Sequence, residues 1–63
     1  MPLIEVHLAE GRTDAQKKAL LGASTRAVQD SIGAPIETIS VWIEEFPPTD
    51  YMISGVLAAD RKK

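Results

Sequence analysis

A chain of 63 residues holds one domain, 1–63, and a domain this short buries only about 60% of the surface its unfolded form exposes. It has no cysteine and one histidine, His7, which excludes disulfides and the usual metal-ligand sets and leaves self-association as the expected support. Seven Lys and Arg against nine Asp and Glu give a net charge of -2, with 44% apolar and 25% charged residues: a globular composition without the basic stripe and stacking aromatics of a nucleic-acid binder.

The N-terminal run MPLIEVHLAEGR lacks the basic start and long apolar stretch of a signal peptide, and no segment approaches the roughly 18 apolar residues of a membrane span. The expectation is a soluble cytoplasmic protein with no membrane partner. Leu3 to Leu8 reads as a strand, with Ile4, Val6 and Leu8 on one face and Glu5 and His7 on the other. Ala9 to Arg12 is a loop. Thr13, with Gln16 three residues on, fits a capping box, which predicts a helix over about Asp14 to Ile32. Its apolar stripe runs through Leu20, Leu21, Ala23, Ala27, Val28 and Ile32, and Gly22 inside it marks close packing against a neighbour. Arg26 beside the stripe is read as a solvated or intersubunit ion-pairing residue. Gly33-Ala34-Pro35 ends the helix.

Pro35 to Thr38 fits one short helical turn, and Ile39 to Glu44 or Glu45 the second strand, with Ser40, Trp42 and Glu44 opposite Ile39, Val41 and Ile43. Strand, helix, strand in this order predicts a right-handed crossover and a parallel pair. Pro47 and Pro48 stop the second strand, since neither donates to a ladder. Tyr51 to Ser54, a turn at Gly55, and Val56-Leu57 read as two short extended pieces, too small to stand alone and expected to pair with another subunit. Trp42 and Phe46 are read as packing residues, and His7 as a strand histidine rather than a metal ligand. Arg61 to Lys63 forms a charged tail.

No phosphate loop, zinc spacing or nucleophile elbow is present, so chemistry must come from a less obvious group. Pro2 is the candidate. Once Met1 is removed it is a free secondary amine at the head of an apolar strand, and α-amino groups titrate near pH 8 before any perturbation. Burial beside Ile4 and Leu8, or a nearby arginine, lowers that value toward neutrality and makes a general base. Arg12 is the natural partner, because a guanidinium holds a carboxylate through two hydrogen bonds. The strand between them spans about 20 Å at roughly 3.3 Å per residue. Unless the loop doubles back, Pro2 of one chain meets Arg12 of another.

Pro2-Leu3-Ile4, Glu10-Gly11-Arg12-Thr13-Asp14 with Gln16-Lys17, Gly33-Ala34-Pro35, Ile43-Glu44-Glu45 and Tyr51 through Gly55 occur in the order found in the 4-oxalocrotonate tautomerase family. The chain resembles these small amino-terminal-proline members of the tautomerase superfamily over essentially all 63 residues. The resemblance implies an α/β fold, a β-α-β monomer with a short C-terminal hairpin, assembled as a hexamer whose sites are built by several chains. It implies an isomerase without cofactor or metal, acting in aromatic hydrocarbon catabolism. The proline would move a proton within a 2-hydroxymuconate-like dienol to give the conjugated keto acid. By similarity Pro2 is the base, Arg12 binds a substrate carboxylate, and Tyr51 occupies the place of a pocket aromatic, usually phenylalanine. The family's second catalytic arginine, on the second strand, is replaced here by Ser40, which offers one neutral hydrogen bond in place of a charged fork. Arg61, or an arginine from a different subunit of a heterohexamer, is an alternative source of that charge. Two other readings stay open: a noncatalytic or partner-dependent subunit of such a hexamer, and a hydratase or dehalogenase of unsaturated acids with Glu45 activating water.

Overall fold

Local sequence signals account for the main strands and the helix of the computed structural model, which describes residues 2–61. Strand β1 spans Leu3–Ala9, helix α1 Asp14–Ile32 and strand β2 Ser40–Phe46, with a 3-10 turn at Ile36–Thr38 before β2. A second 3-10 turn, Pro48–Asp50, leads into the hairpin of β3, Met52–Ile53, and β4, Val56–Leu57, and a third, Ala58–Asp60, closes the chain.

The helix starts where the capping box predicts. Thr13 Oγ1 accepts from the Gln16 amide at 3.1 Å, and Gln16 Oε1 accepts from the Thr13 amide at 2.9 Å. The two bonds satisfy donors that a helix start leaves orphaned, a cap worth about 1 kcal/mol. At the other end Gly33 takes the left-handed conformation, φ 71°, and its N–H closes onto Gln29 O at 3.0 Å.

β1 and β2 are parallel, in the register Leu3↔Ser40 through Ala9↔Phe46. Both extend one residue past the end predicted, because Glu10 donates to Phe46 O at 2.9 Å and Pro47 then removes the next donor. β2 also begins one residue late. The Ile39 amide is committed to Ile36 O, at 3.1 Å, so the ladder opens at Ser40, whose N–H donates to Pro2 O at 3.0 Å.

The C-terminal pieces pair with each other rather than only with a partner: Met52↔Leu57 and Ile53↔Val56, antiparallel. Ser54 and Gly55 both have positive φ, 53° and 81°, as in a two-residue type I′ turn, whose twist matches that of the flanking strands. Two-residue strands remain marginal by themselves.

Helix α1 packs against β2, and Leu21, Ser24, Thr25 and Val28 on it are half-buried, while Leu20, Ala23, Ala27 and Ile32 of the expected stripe are exposed. The stripe is wider than a two-stranded sheet can cover, so half of it has no neighbour within the chain. The same shortage runs through the molecule. No described residue is fully buried, and the chain exposes 4870 Å², against roughly 4000 Å² for a compact monomer of 6.8 kDa. Its radius of gyration is 14.6 Å, against about 10.6 Å for a compact domain of this length. Leu3 and Trp42, 57% and 45% exposed, stand on the sheet face away from the helix, and Met52 and Val56 are exposed on the hairpin. No helix among the described residues is long and apolar enough to cross a membrane.

Candidate active site

Pro2 precedes β1 and is half-buried. Its carbonyl is held by the Ser40 amide at 3.0 Å, and Leu3 is Ser40's register partner, so Pro2 and Ser40 meet at one end of the parallel pair. The backbone bond leaves the proline nitrogen outside the ladder. Proline is tolerated at this place because a strand's first residue need not donate.

Arg12 lies at the opposite end. Its Nη1 donates to Ala9 O at 3.1 Å, which holds the loop against the end of β1 instead of returning it toward Pro2. Seven residue steps of strand, about 23 Å at roughly 3.3 Å per step, separate Pro2 from Ala9. Within one chain, then, Pro2 and Ser40 are brought together and Arg12 is not.

Tyr51 follows the Pro48–Asp50 turn, where its ring stacks obliquely on Phe46, centroids 5.0 Å apart at 50°. Its carbonyl accepts from the Ala58 amide at 2.7 Å, which joins the hairpin's base to the closing turn. Tyr51 therefore shares the Phe46 end of the molecule with Arg12, because Phe46 pairs with Ala9.

Electrostatics at that end are dominated by Lys17. Its ammonium reaches Glu45 Oε1 at 3.2 Å and Asp14 Oδ1 at 3.6 Å, and the hydrogen bond to Glu45, followed by that carboxylate's charge, raises the Lys17 pKa above its ordinary value. The pair ties α1 to β2. It also occupies the Glu45 carboxylate, five residues along β2 from Ser40, so within one chain Glu45 neither stands free as a water-activating base nor lies near Pro2. His7 Nε2 sits 3.5 Å from Glu5 Oε1 on the outer sheet face, both side chains well exposed.

Sequence reasoning passed over one cluster. Lys18, Gly22 and Arg26, spaced by four on the helix, line an open groove of about 860 Å³ against Ile39, Ser40 and Val41. The signal was the four-residue spacing of two cations about a glycine, but only the packing of α1 on β2 puts Ser40 beside them.

The pattern of the tautomerase enzyme family matches residues 2–61. The chain is 40% identical over 60 residues to a 2-hydroxymuconate tautomerase of Pseudomonas putida, covering 95% of each. Among solved structures, it is similar to a 4-oxalocrotonate tautomerase isozyme of Methylibium petroleiphilum, with a TM-score of 0.89 and 40% identity over 92% of this chain and 94% of the other. It also resembles a heterohexamer 4-oxalocrotonate tautomerase from Chloroflexus aurantiacus, with a TM-score of 0.93 and 29% identity over 98% and 100% of the two chains. A β-α-β chain headed by Pro2, matched along nearly its whole length, belongs to the tautomerase family and is an isomerase of the 4-oxalocrotonate tautomerase type.

Proposed function

We propose that the protein tautomerises a 2-hydroxymuconate-like dienol to the conjugated keto acid, with the Pro2 amine as general base. The observation that carries this reading is Pro2 itself: half-buried at the head of β1, its carbonyl engaged by Ser40 and its nitrogen outside the ladder. Removal of Met1 converts that nitrogen from an amide, which has no basic lone pair, to a secondary amine. The neutral amine takes the proton that the dienol gives up and returns it to carbon. No atom is gained or lost, and no cofactor enters. Arg12 binds a carboxylate of the same substrate, which places the reacting centre between chains, and Tyr51 contributes an aromatic wall at Arg12's end.

The amine works only when unprotonated. An α-amino group titrates near pH 8 before any perturbation, and burial disfavours the ammonium form of such a group. On Met-processed protein, kcat/KM for 2-hydroxymuconate is therefore expected to rise with pH through a single ionisation below about pH 8. A profile without that limb removes Pro2 as the base.

The assembly belongs to the same reading. A chain with about 900 Å² of surface beyond a compact monomer's, with the apolar flank of α1, the outer sheet face and the hairpin all uncovered, fits a hexamer in which those faces meet. Light scattering is expected to give six times the chain mass at micromolar concentration. A folded monomer under those conditions overturns both the assembly and the shared site. The Chloroflexus heterohexamer supports a second form of this reading, in which a different subunit completes the site, and mass spectrometry of the intact native assembly separates the two.

A further inference from the structure

The groove between α1 and β2 holds two cations and no carboxylate: among the residues lining it, Lys18 and Arg26 are the charged ones. In a chain of net charge -2 this is an unbalanced positive pocket. The ion pairs among the described residues join His7 to Glu5 and Lys17 to Asp14 and Glu45, so neither groove cation is neutralised by a neighbour. The hydroxyl on the helix wall, Thr25 Oγ1, is spent on Leu21 O at 2.9 Å.

Gly22 explains how the groove stays open. A Cβ at that position would stand 3.4 Å from Arg26 Nη1 and 4.0 Å from Nη2, so the guanidinium lies over the glycine. A glycine in a helix interior is unfavourable relative to alanine, and a compensating reason is expected where one persists. Here the missing side chain makes a niche in which Arg26 folds back along the helix toward β2.

The groove's floor adjoins Pro2. Ile39, Ser40 and Val41 form it, and the Ser40 amide is the group that binds the Pro2 carbonyl, so one strand spacing, about 4.8 Å, separates the floor from the residue that heads β1. Two cations with no anion between them, one strand from an amine that acts on acids, form a receptor for a carboxylate. Arg12 is at the far end of its own chain and accounts for one carboxylate only. A dicarboxylate has a second.

We propose that the groove between α1 and β2 is a carboxylate-binding subsite in which Arg26, assisted by Lys18, holds one carboxylate of a small dicarboxylic substrate beside Pro2. This rests on the reading of Pro2 as the reacting group. Arg26 thereby supplies, from the helix, charge that Ser40 on the strand lacks, and it makes the enzyme selective for diacids over monoacids.

Adipate, a saturated six-carbon dicarboxylate that cannot tautomerise, is the probe. Calorimetric titration of the assembled, Met-processed protein is expected to show Arg26→Gln weakening adipate binding about 10- to 100-fold, the range for removing charge-assisted hydrogen bonds. Pro2→Ala should leave adipate binding within a few-fold. In turnover, Arg26→Gln should raise KM for 2-hydroxymuconate by a similar factor with little change in kcat. It should leave an aryl enol-pyruvate, which has one carboxylate, nearly unaffected. Gly22→Leu fills the niche while keeping both cations and a good helix former, and should weaken adipate binding without loss of helix. Equal adipate affinity in wild type and Arg26→Gln overturns the proposal, as does dissociation of the assembly by Arg26→Gln together with unchanged adipate binding by Gly22→Leu. Binding that depends on Arg26 while Pro2→Ala turns over diacid at the wild-type rate leaves the subsite standing and overturns the reading of Pro2 instead.

Discussion

Replacing Pro2 with alanine is expected to lower kcat/KM for 2-hydroxymuconate about 100-fold or more, since a positioned general base contributes roughly 10²- to 10⁴-fold. The variant keeps an amine at the N-terminus after Met1 is removed. That amine is primary and lacks the ring that fixes φ at the head of β1, so both its direction and its basicity change. The fold is not at risk, because the Ser40 N–H bonds the carbonyl of residue 2, which alanine retains. Circular dichroism and light scattering should therefore match wild type while turnover falls. A form retaining Met1 gives an independent control: its Pro2 nitrogen is an amide, and it should be as inactive as Pro2→Ala although every side chain is unchanged. Wild-type turnover by either protein would show that the base lies elsewhere.

The second large effect concerns Arg12, and it tests where the site lies as well as what is in it. Arg12→Ala is expected to raise KM for the diacid about 10- to 100-fold through the loss of a charge-assisted carboxylate contact. The geometry adds a sharper consequence. With Arg12 bonded back to Ala9 O and about 23 Å of strand between Pro2 and Ala9, the two groups are expected to act together only across a subunit boundary. Pro2→Ala and Arg12→Ala, each impaired in kcat/KM alone, should complement when unfolded together and reassembled, as read at substrate well below KM. A site drawing Pro2 from one chain and Arg12 from another is intact in about a quarter of random pairings of the two variants, since each chain carries the needed residue half the time. Recovery of activity toward that fraction, after co-refolding but not after mixing of preformed assemblies, is the expected result. No recovery would mean that Pro2 and Arg12 serve the same site from the same chain, which would require the loop at Gly11 to reverse its direction.

Much of this protein is written in short-range pattern. The alternation of Ile4, Val6 and Leu8 with Glu5 and His7 determines β1 because successive strand side chains point to opposite faces. Thr13 and Gln16 determine the start of α1 because both bonds of the capping box close within three residues, and Gly33 with Pro35 determines its end. The parallel pairing follows from element order, since a strand, a helix and a strand connect in one hand. Pro2 and Arg12 stand out as candidates for a similar reason: a terminal secondary amine and a guanidinium carry their chemical character wherever the fold puts them. The two-residue turn at Ser54-Gly55 was half legible. Gly55 announced a turn, but pairing of Met52 with Leu57 within the chain depends on Ser54 also taking a positive φ, a conformation serine seldom adopts.

Tertiary structure alone decided the rest. The apolar residues of α1 form one broad stripe in the sequence, yet the sheet beneath has only two strands, so Leu21 and Val28 are covered while Leu20, Ala23 and Ala27 are not. Nothing local distinguishes these sets, because the difference lies in the width of what the helix packs against. Lys17, one of several lysines by sequence, became the tie to Glu45 twenty-eight positions away. Arg26 read as a solvated helix residue until α1 packed against β2 and brought its guanidinium, lying over Gly22, into the groove that Ser40 floors. Residue type and spacing determine which groups are available and on which face they stand, because those depend on bonds a few residues long. Which groups meet depends on how the faces pack, and with none of the described residues completely buried, that packing is expected to extend to other copies of the chain.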